Sequence, residues 1–236
     1  MKIRGAEDGP LLSGPRLLGR LEQLDHKEIL ELGCGAGSWT RQLASGGPGR
    51  RVLALEVDRA QHEANLAIDD LPGVRFGLGP AQAIPAGDES FDAVFMFKSL
   101  HHVPGDQLDR ALEEIARVLR REGRAYLVEP IYGGALNEIM KLFNDERRAR
   151  EAAFAAVRAA VGRGLLELER QLFFRLPLAF ASFAEFERRM INVSYRRSRL
   201  SPEVHAEVRA RVEAHLTDGE AAFTQPLRLD QLQRPR

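Results

Sequence analysis

The chain has 236 residues, 44% hydrophobic and 29% charged, enough for one well-buried domain and short for two full ones. Its 34 basic residues balance 34 acidic ones, which argues against a protein built mainly to bind nucleic acid, and no run approaches the ~20 apolar residues of a membrane span. A single cysteine, Cys34, excludes an intrachain disulfide, and no Cys/His cluster has metal-ligand spacing, so no metal site is expected. The N-terminus lacks the apolar core of a secretory signal, and a cytoplasmic location is expected.

In chain order, Leu11, Leu12, Leu17, Leu18, Leu21 and Leu24 fall at helical spacing and predict a helix over 11–25. A strand follows at 28–32, a glycine-rich turn at 33–37 and a helix at 38–45, ended by Ser45-Gly46-Gly47-Pro48-Gly49. Apolar runs at 51–57, 74–78 and 91–97 read as strands two to four, with helices at 59–70 and 106–120, and 123–129 reads as a fifth strand. Strands alternating with helices predict a parallel sheet covered on both faces. Beyond residue 130 the spacing of Ile139, Leu142, Phe143, Phe154, Val157 and Val161 predicts one long helix over 136–161, stopped by Gly162-Arg163-Gly164. A helix at 202–216 and a terminal strand at 222–229 complete the reading, with a further strand at either 165–175 or 190–196. Phe173, Phe174, Phe180, Phe183 and Phe186 are read first as core, and second as the lining of an apolar pocket under a lid.

The chemistry concentrates in Ile29-Leu30-Glu31-Leu32-Gly33-Cys34-Gly35-Ala36-Gly37-Ser38-Trp39-Thr40, where an apolar strand runs through glycines into a helix start. Glycines at alternate positions permit positive φ and let backbone N–H groups approach a ligand. The dinucleotide fingerprint needs its third glycine where Ser38 stands; here the third glycine is Gly37, and Glu31 lies two positions before the first. Cys34 reads as packing beneath the loop. Nineteen residues beyond Gly37, Glu56 ends the second strand, placed to accept from the two hydroxyls of a ribose. Asp58 reads more simply as a helix cap.

Residues 28–130 resemble the class I S-adenosylmethionine-dependent methyltransferases, in particular their ubiquinone/menaquinone-biosynthesis-like group. Four landmarks carry the resemblance in order: Glu31-Leu32-Gly33-Cys34-Gly35-Ala36-Gly37, Glu56-Val57-Asp58, the segment from Ala81 to Pro85 leading to Ser90-Phe91-Asp92-Ala93-Val94, and Leu100-His101-His102-Val103. The resemblance implies a Rossmann-like doubly wound, mostly parallel seven-stranded sheet with a helical insertion or lid after the fifth strand. It implies one domain over 1–236, with a cofactor core at about 28–130, an acceptor side at about 131–216 and a terminal strand at about 222–229. The implied cofactor is S-adenosyl-L-methionine: its amino-acid end at Glu31, Gly33, Cys34, Gly35 and Gly37 and beside the backbone of Phe97, its ribose at Glu56, its adenine at Val57, Ala81 and Gln82. Val57 packs either on the adenine or in the core. One landmark departs, because Pro80 stands where similar enzymes place an acidic residue for the adenine amino group, which leaves that contact to Gln82. His101 and His102 are the candidate bases for an acceptor that must lose a proton, with a structural role open to either. Glu129 and Tyr132 border the same crevice.

A small-molecule acceptor is the expected partner, without membrane or nucleic acid, and nothing in the chain opposes a homo-oligomer. An RNA- or protein-modifying methyltransferase and a non-catalytic S-adenosylmethionine-binding protein remain the alternatives.

Overall fold

A computed structural model describes residues 1–3, 9–21, 23–193, 200–217 and 219–235. Five strands, β1 (Glu28–Leu32), β2 (Arg51–Glu56), β3 (Val74–Leu78), β4 (Phe91–Phe97) and β5 (Leu119–Pro130), pair in parallel in the order β3-β2-β1-β4-β5. Three more complete the sheet: β6 (Glu167–Phe180), the two-residue β7 (Leu216–Thr217) and β8 (Glu220–Gln233). Strand β8 lies between β5 and β6, antiparallel to both, and β7 pairs with it at the side. The sheet is thus the expected seven-stranded path plus one very short strand. The strand order reverses between β1 and β4, and in such sheets ligands bind in the crevice beyond the carboxyl ends of the strands at that point.

Strand alternation divides the core between the two faces. Leu30, Val94, Met96 and Leu127 pack on α4 (Leu108–Val118) and α6 (Arg147–Gly162), introduced here with the six other helices: α1 (Gly14–Leu18), α2 (Ser38–Ser45), α3 (Arg59–Asn65), α5 (Ala135–Met140), α7 (Phe183–Phe186) and α8 (Pro202–Glu213). On the other face Ile29, Phe95, Tyr126 and Leu229 pack with Leu12, Leu17 and Leu43 from the α1 and α2 side. A third cluster, with Leu136, Phe180, Phe186, Val208, Val212 and Phe223, joins α5, α7 and α8 to the ends of β6 and β8. Its position follows from the register. Strand β5 pairs with β8 only from Leu227 onward, whereas β6 pairs with it from Ala221. The β6–β8 ribbon therefore overhangs the carboxyl ends of the parallel strands by six residues, about 20 Å of strand, and forms a roof.

Several expected bounds change. The N-terminal helix is only Gly14–Leu18, because Gly19 ends it. Helix α3 stops at Asn65, whose buried side chain is drawn to the glycine loop. The chain passes directly from α4 into β5 at Leu119, so the fifth strand starts earlier than predicted. The single helix at 136–161 is two helices, separated by a turn through Asn144 and Asp145 in which Asp145 accepts from the N–H of Arg147. The undecided strand is β6, which contains most of 165–175; the alternative at 190–196 runs into residues 194–199, outside the described residues. Phe174, Phe180, Phe183 and Phe186 are core, as the first reading had them.

Candidate functional site

The glycine loop is shaped by backbone demands. Gly33, Gly35 and Gly37 have φ of 71°, 52° and 74°, the left-handed region that other residues enter at a cost. The N–H groups of Gly33 and Cys34 both donate to the Leu55 carbonyl, at 2.8 and 3.0 Å, which clamps the loop to the end of β2. A Cβ on Gly33 would lie 2.7 Å from the Ser99 Cβ, whose hydroxyl in turn donates to the Leu32 carbonyl. At Gly35 a Cβ would meet nothing within 4 Å, so this backbone faces open space. Cys34 is buried beneath the loop, within 3.6 Å of the Asn65 amide, and burial pushes its thiol far above the ordinary range. It packs, as expected.

Two carboxylates flank the loop. Glu31 is 1% exposed and accepts from the Thr40 hydroxyl at 2.6 Å. Burial raises its pKa to about 8, partly opposed by that hydrogen bond and reinforced by the charge of Glu56. Glu56 accepts from the N–H of Gly35 at 2.7 Å, of Val57 at 2.8 Å and of Asp58 at 3.1 Å. Backbone donors thus fix the rotamer and occupy three of its roughly four acceptor positions. Asp58 caps α3. Val57 is 62% exposed, so the reading that placed it in the core is corrected: it stands on the surface beside Glu56. Ala81 is buried in the first core and Gln82 half-buried, and the buried Phe97 ring stacks on Trp39 at 4.2 Å.

The histidine pair separates into two different environments. His101 is 5% exposed, its Nδ1 lies 2.5 Å from Glu129 Oε2, and its Nε2 lies 3.6 Å from Glu146 Oε2. The other Glu129 oxygen accepts from the N–H of Leu100. Burial alone would lower the His101 pKa, but the charge and hydrogen bond of Glu129, with Glu146 behind them, raise it to about 9. The His102 ring lies 4.1 Å from that of His101 at a tilt of 42°, is the more exposed of the two, and is pushed below the ordinary histidine value by partial burial and by the His101 charge. His101 is therefore an ion-paired imidazolium near neutral pH, and His102 is the neutral ring.

Glu146 was not singled out in the sequence. It stands just before α6, at the turn that interrupts the expected long helix, and its carboxylate meets Arg150 at 2.6 Å and Asn144 at 2.7 Å. Among the described residues His101, His102 and Glu146 are the one group whose candidate metal ligand atoms all lie within 4.8 Å of one another, an assembly that linear spacing did not reveal. Arg150 and Asn144 already engage this carboxylate, so the arrangement reads as an ion-pair network. The available signal was Asn144-Asp145, a polar pair with capping chemistry inside an apolar-periodic run.

Residues 30–127 match the family model described as a methyltransferase domain. The chain is 33% identical over 138 residues to methyltransferase GfsG of Streptomyces halstedii, covering 54% of this chain and 48% of that protein. It is 34% identical over 136 residues to the demethylmenaquinone methyltransferase of Lactococcus lactis, covering 53% of each. The chain thus spans about half the length of these curated relatives. The crystal structure of YcgJ from Bacillus subtilis superimposes with a TM-score of 0.65 at 17% identity, covering 94% of this chain and 98% of that one, a likeness of fold. No helix among the described residues is long and apolar enough to cross a membrane. By the domain matched at residues 30–127 and the sheet that carries it, the chain is similar to the class I S-adenosylmethionine-dependent methyltransferases.

Proposed function

We propose that this chain transfers the methyl group of S-adenosyl-L-methionine to an oxygen, nitrogen or carbon nucleophile of a small-molecule acceptor. The observation that carries the reading is the left-handed Gly35, open on its ligand-facing side and flanked by Glu31 and Glu56. The relatives' printed names support a small-molecule acceptor, since one acts on demethylmenaquinone. The residues present fit the cofactor: Glu31 suits its ammonium, the backbone of Gly33, Cys34, Gly35 and Gly37 its amino-acid end, Glu56 its ribose, and the exposed Val57 with Ala81 and Gln82 its adenine. When bound, it supplies an activated methyl and its own leaving group.

The protein's work is then to align the acceptor and to exclude water. His102 takes the acceptor's proton where one must leave, because it is the more exposed and the more easily neutral of the pair. His101 is a positioning residue, held between Glu129 and Glu146. The cofactor core extends over about 28–130 and the acceptor side over about 131–216, beneath the roof.

Calorimetric titration with S-adenosylmethionine and S-adenosylhomocysteine, beside a dinucleotide control, tests the reading. Micromolar binding of both sulfur ligands and none of the dinucleotide is expected, on the order of −8 kcal/mol. Gly35→Val puts its branch into open space but strains the left-handed turn, and is expected to abolish that binding in a chain whose far-ultraviolet circular dichroism still reports the fold. Unchanged affinity in this variant would remove the loop from the site.

A further inference from the structure

The glycine loop is bracketed by two side chains that bond to each other. Glu31 stands on β1 just before it, and Thr40 stands in the first turn of α2 just after it. The Thr40 hydroxyl donates to Glu31 Oε2 at 2.6 Å, and the two residues are buried, at 0% and 1% exposure. A threonine in a helix can satisfy its hydroxyl on the carbonyl one turn back; this one turns to the carboxylate instead. The bond ties the two ends of the loop together.

Among the described residues, this hydroxyl is the one group that favours a negative charge on Glu31. Burial opposes that charge most, and the charge of Glu56 adds to the opposition. The Cys34 thiol close by stays protonated, its own ionisation pushed far above the ordinary range by burial and by the charges of Glu31 and Glu56. No described arginine, lysine or histidine pairs with Glu31, and its Oε1 accepts from no described residue. Thr40 therefore acts in two ways. It offsets part of the burial penalty, because a hydrogen bond to a charged acceptor is about twice as strong as one to a neutral acceptor. By occupying Oε2 it also leaves Oε1 as the oxygen free to receive an incoming cation.

We propose that Thr40 is a positioning residue for the methyl donor: its hydroxyl stabilises the Glu31 carboxylate and leaves Oε1 to receive the donor's ammonium. Thr40 acts through Glu31 and takes no part in the transfer itself. The proposal rests on the methyl-transfer reading and adds to it the residue that readies Glu31.

The test titrates two ligands into the full chain and into its Thr40→Val and Thr40→Ser variants, below and above pH 8. S-adenosylhomocysteine carries the ammonium, whereas 5′-methylthioadenosine has the same nucleoside and no amino-acid end. Valine keeps the branched shape of threonine and removes the donor, which raises the folded-state pKa of Glu31 further. Below pH 8 Thr40→Val should therefore weaken S-adenosylhomocysteine by about tenfold or more, and the loss should narrow as the pH rises above 8. Thr40→Ser keeps the hydroxyl and should keep the wild-type affinity and pH profile. 5′-Methylthioadenosine should bind alike to all three proteins, which a general collapse of the loop would not allow. Unchanged S-adenosylhomocysteine affinity in Thr40→Val overturns the proposal. Equal loss of both ligands in that variant, or a Thr40→Ser variant as weak as Thr40→Val, would assign Thr40 to packing of the loop, and overturns it as well. Failure of the methyl-donor reading is seen separately, in the wild-type chain: if that chain binds no S-adenosylhomocysteine, the reading fails and the proposal falls with it.

Discussion

On the proposed reading, Glu31 should couple cofactor binding to pH. In the ligand-free protein it keeps its proton up to about pH 8, chiefly through burial. An ammonium brought beside it favours the carboxylate, so binding expels that proton and apparent affinity should rise as the pH climbs toward 8, by at most about tenfold per unit. Near that pH the ligand's own amino group begins to lose its proton, and the gain should stop. Titrations in buffers of different ionisation enthalpy would reveal the released proton; a pH-independent affinity with no release separates Glu31 from the ammonium. The folded chain's stability moves the opposite way. Its Glu31 pKa of about 8 exceeds the ordinary glutamate value of 4.5, so the folded state holds the proton more tightly and stability falls as pH rises between those two values.

The two histidines should separate in the same direct manner. His102→Ala is expected to lower turnover by roughly 10²–10⁴ while cofactor affinity stays the same. The wild-type rate should have its acid limb below pH 6.5, because the His102 pKa is lowered from that value and the ring is already neutral above it. His101→Ala strands the buried Glu129 carboxylate and should cost about 3–5 kcal/mol in stability, read from the denaturation midpoint. Full turnover in His102→Ala with a working acceptor would leave alignment alone to account for the rate. The sequence named both residues, but their difference comes from Glu129 and Glu146, which are distant in the chain and meet them only in the fold.

Among the elements, the strands up to β5 were legible because each holds a short apolar run set off by glycine, proline or a cap, and the central ones, β1 and β4, are buried on both faces. Beyond residue 130 the signals weaken for physical reasons. Strand β6 is an edge strand with only Phe174 and Phe180 fully buried, so its alternation is faint. The α5–α6 break sits inside an apolar periodicity that the two helices share, because both turn their buried faces inward from either side of the turn. That turn sets Glu146 beside His101 and Arg150 beside Asn137, contacts that linear spacing does not show. Strand β8 shows how far pairing exceeds pattern. It was expected at 222–229 and extends over Glu220–Gln233, since neighbours on both sides prolong it. Leu229, wholly buried, pairs with Val128 and with Leu172. Leu229→Pro should therefore cost about 3 kcal/mol or more in a urea titration. The natural Pro226 marks where β8 passes beyond β5, and a midpoint unmoved by Leu229→Pro would contradict the central position of that strand.

At the scale of the molecule, a two-faced sheet carries the glycine loop, and a roof with its own apolar cluster overhangs the strand ends. The glycine loop and the strand ends named the first without a structure. The roof's extent needed the register of β6 on β8. One consequence concerns the order in which the chain can fold. The strand that joins β5 to β6 is β8, and it is the last of the eight in sequence, so during synthesis β5 waits about ninety residues for its neighbour with an open edge. Such edges invite pairing with other chains. The nascent protein is thus most exposed to aggregation while α6, β6 and α8 are being made, and the same late strand closes the sheet and completes the roof in one event.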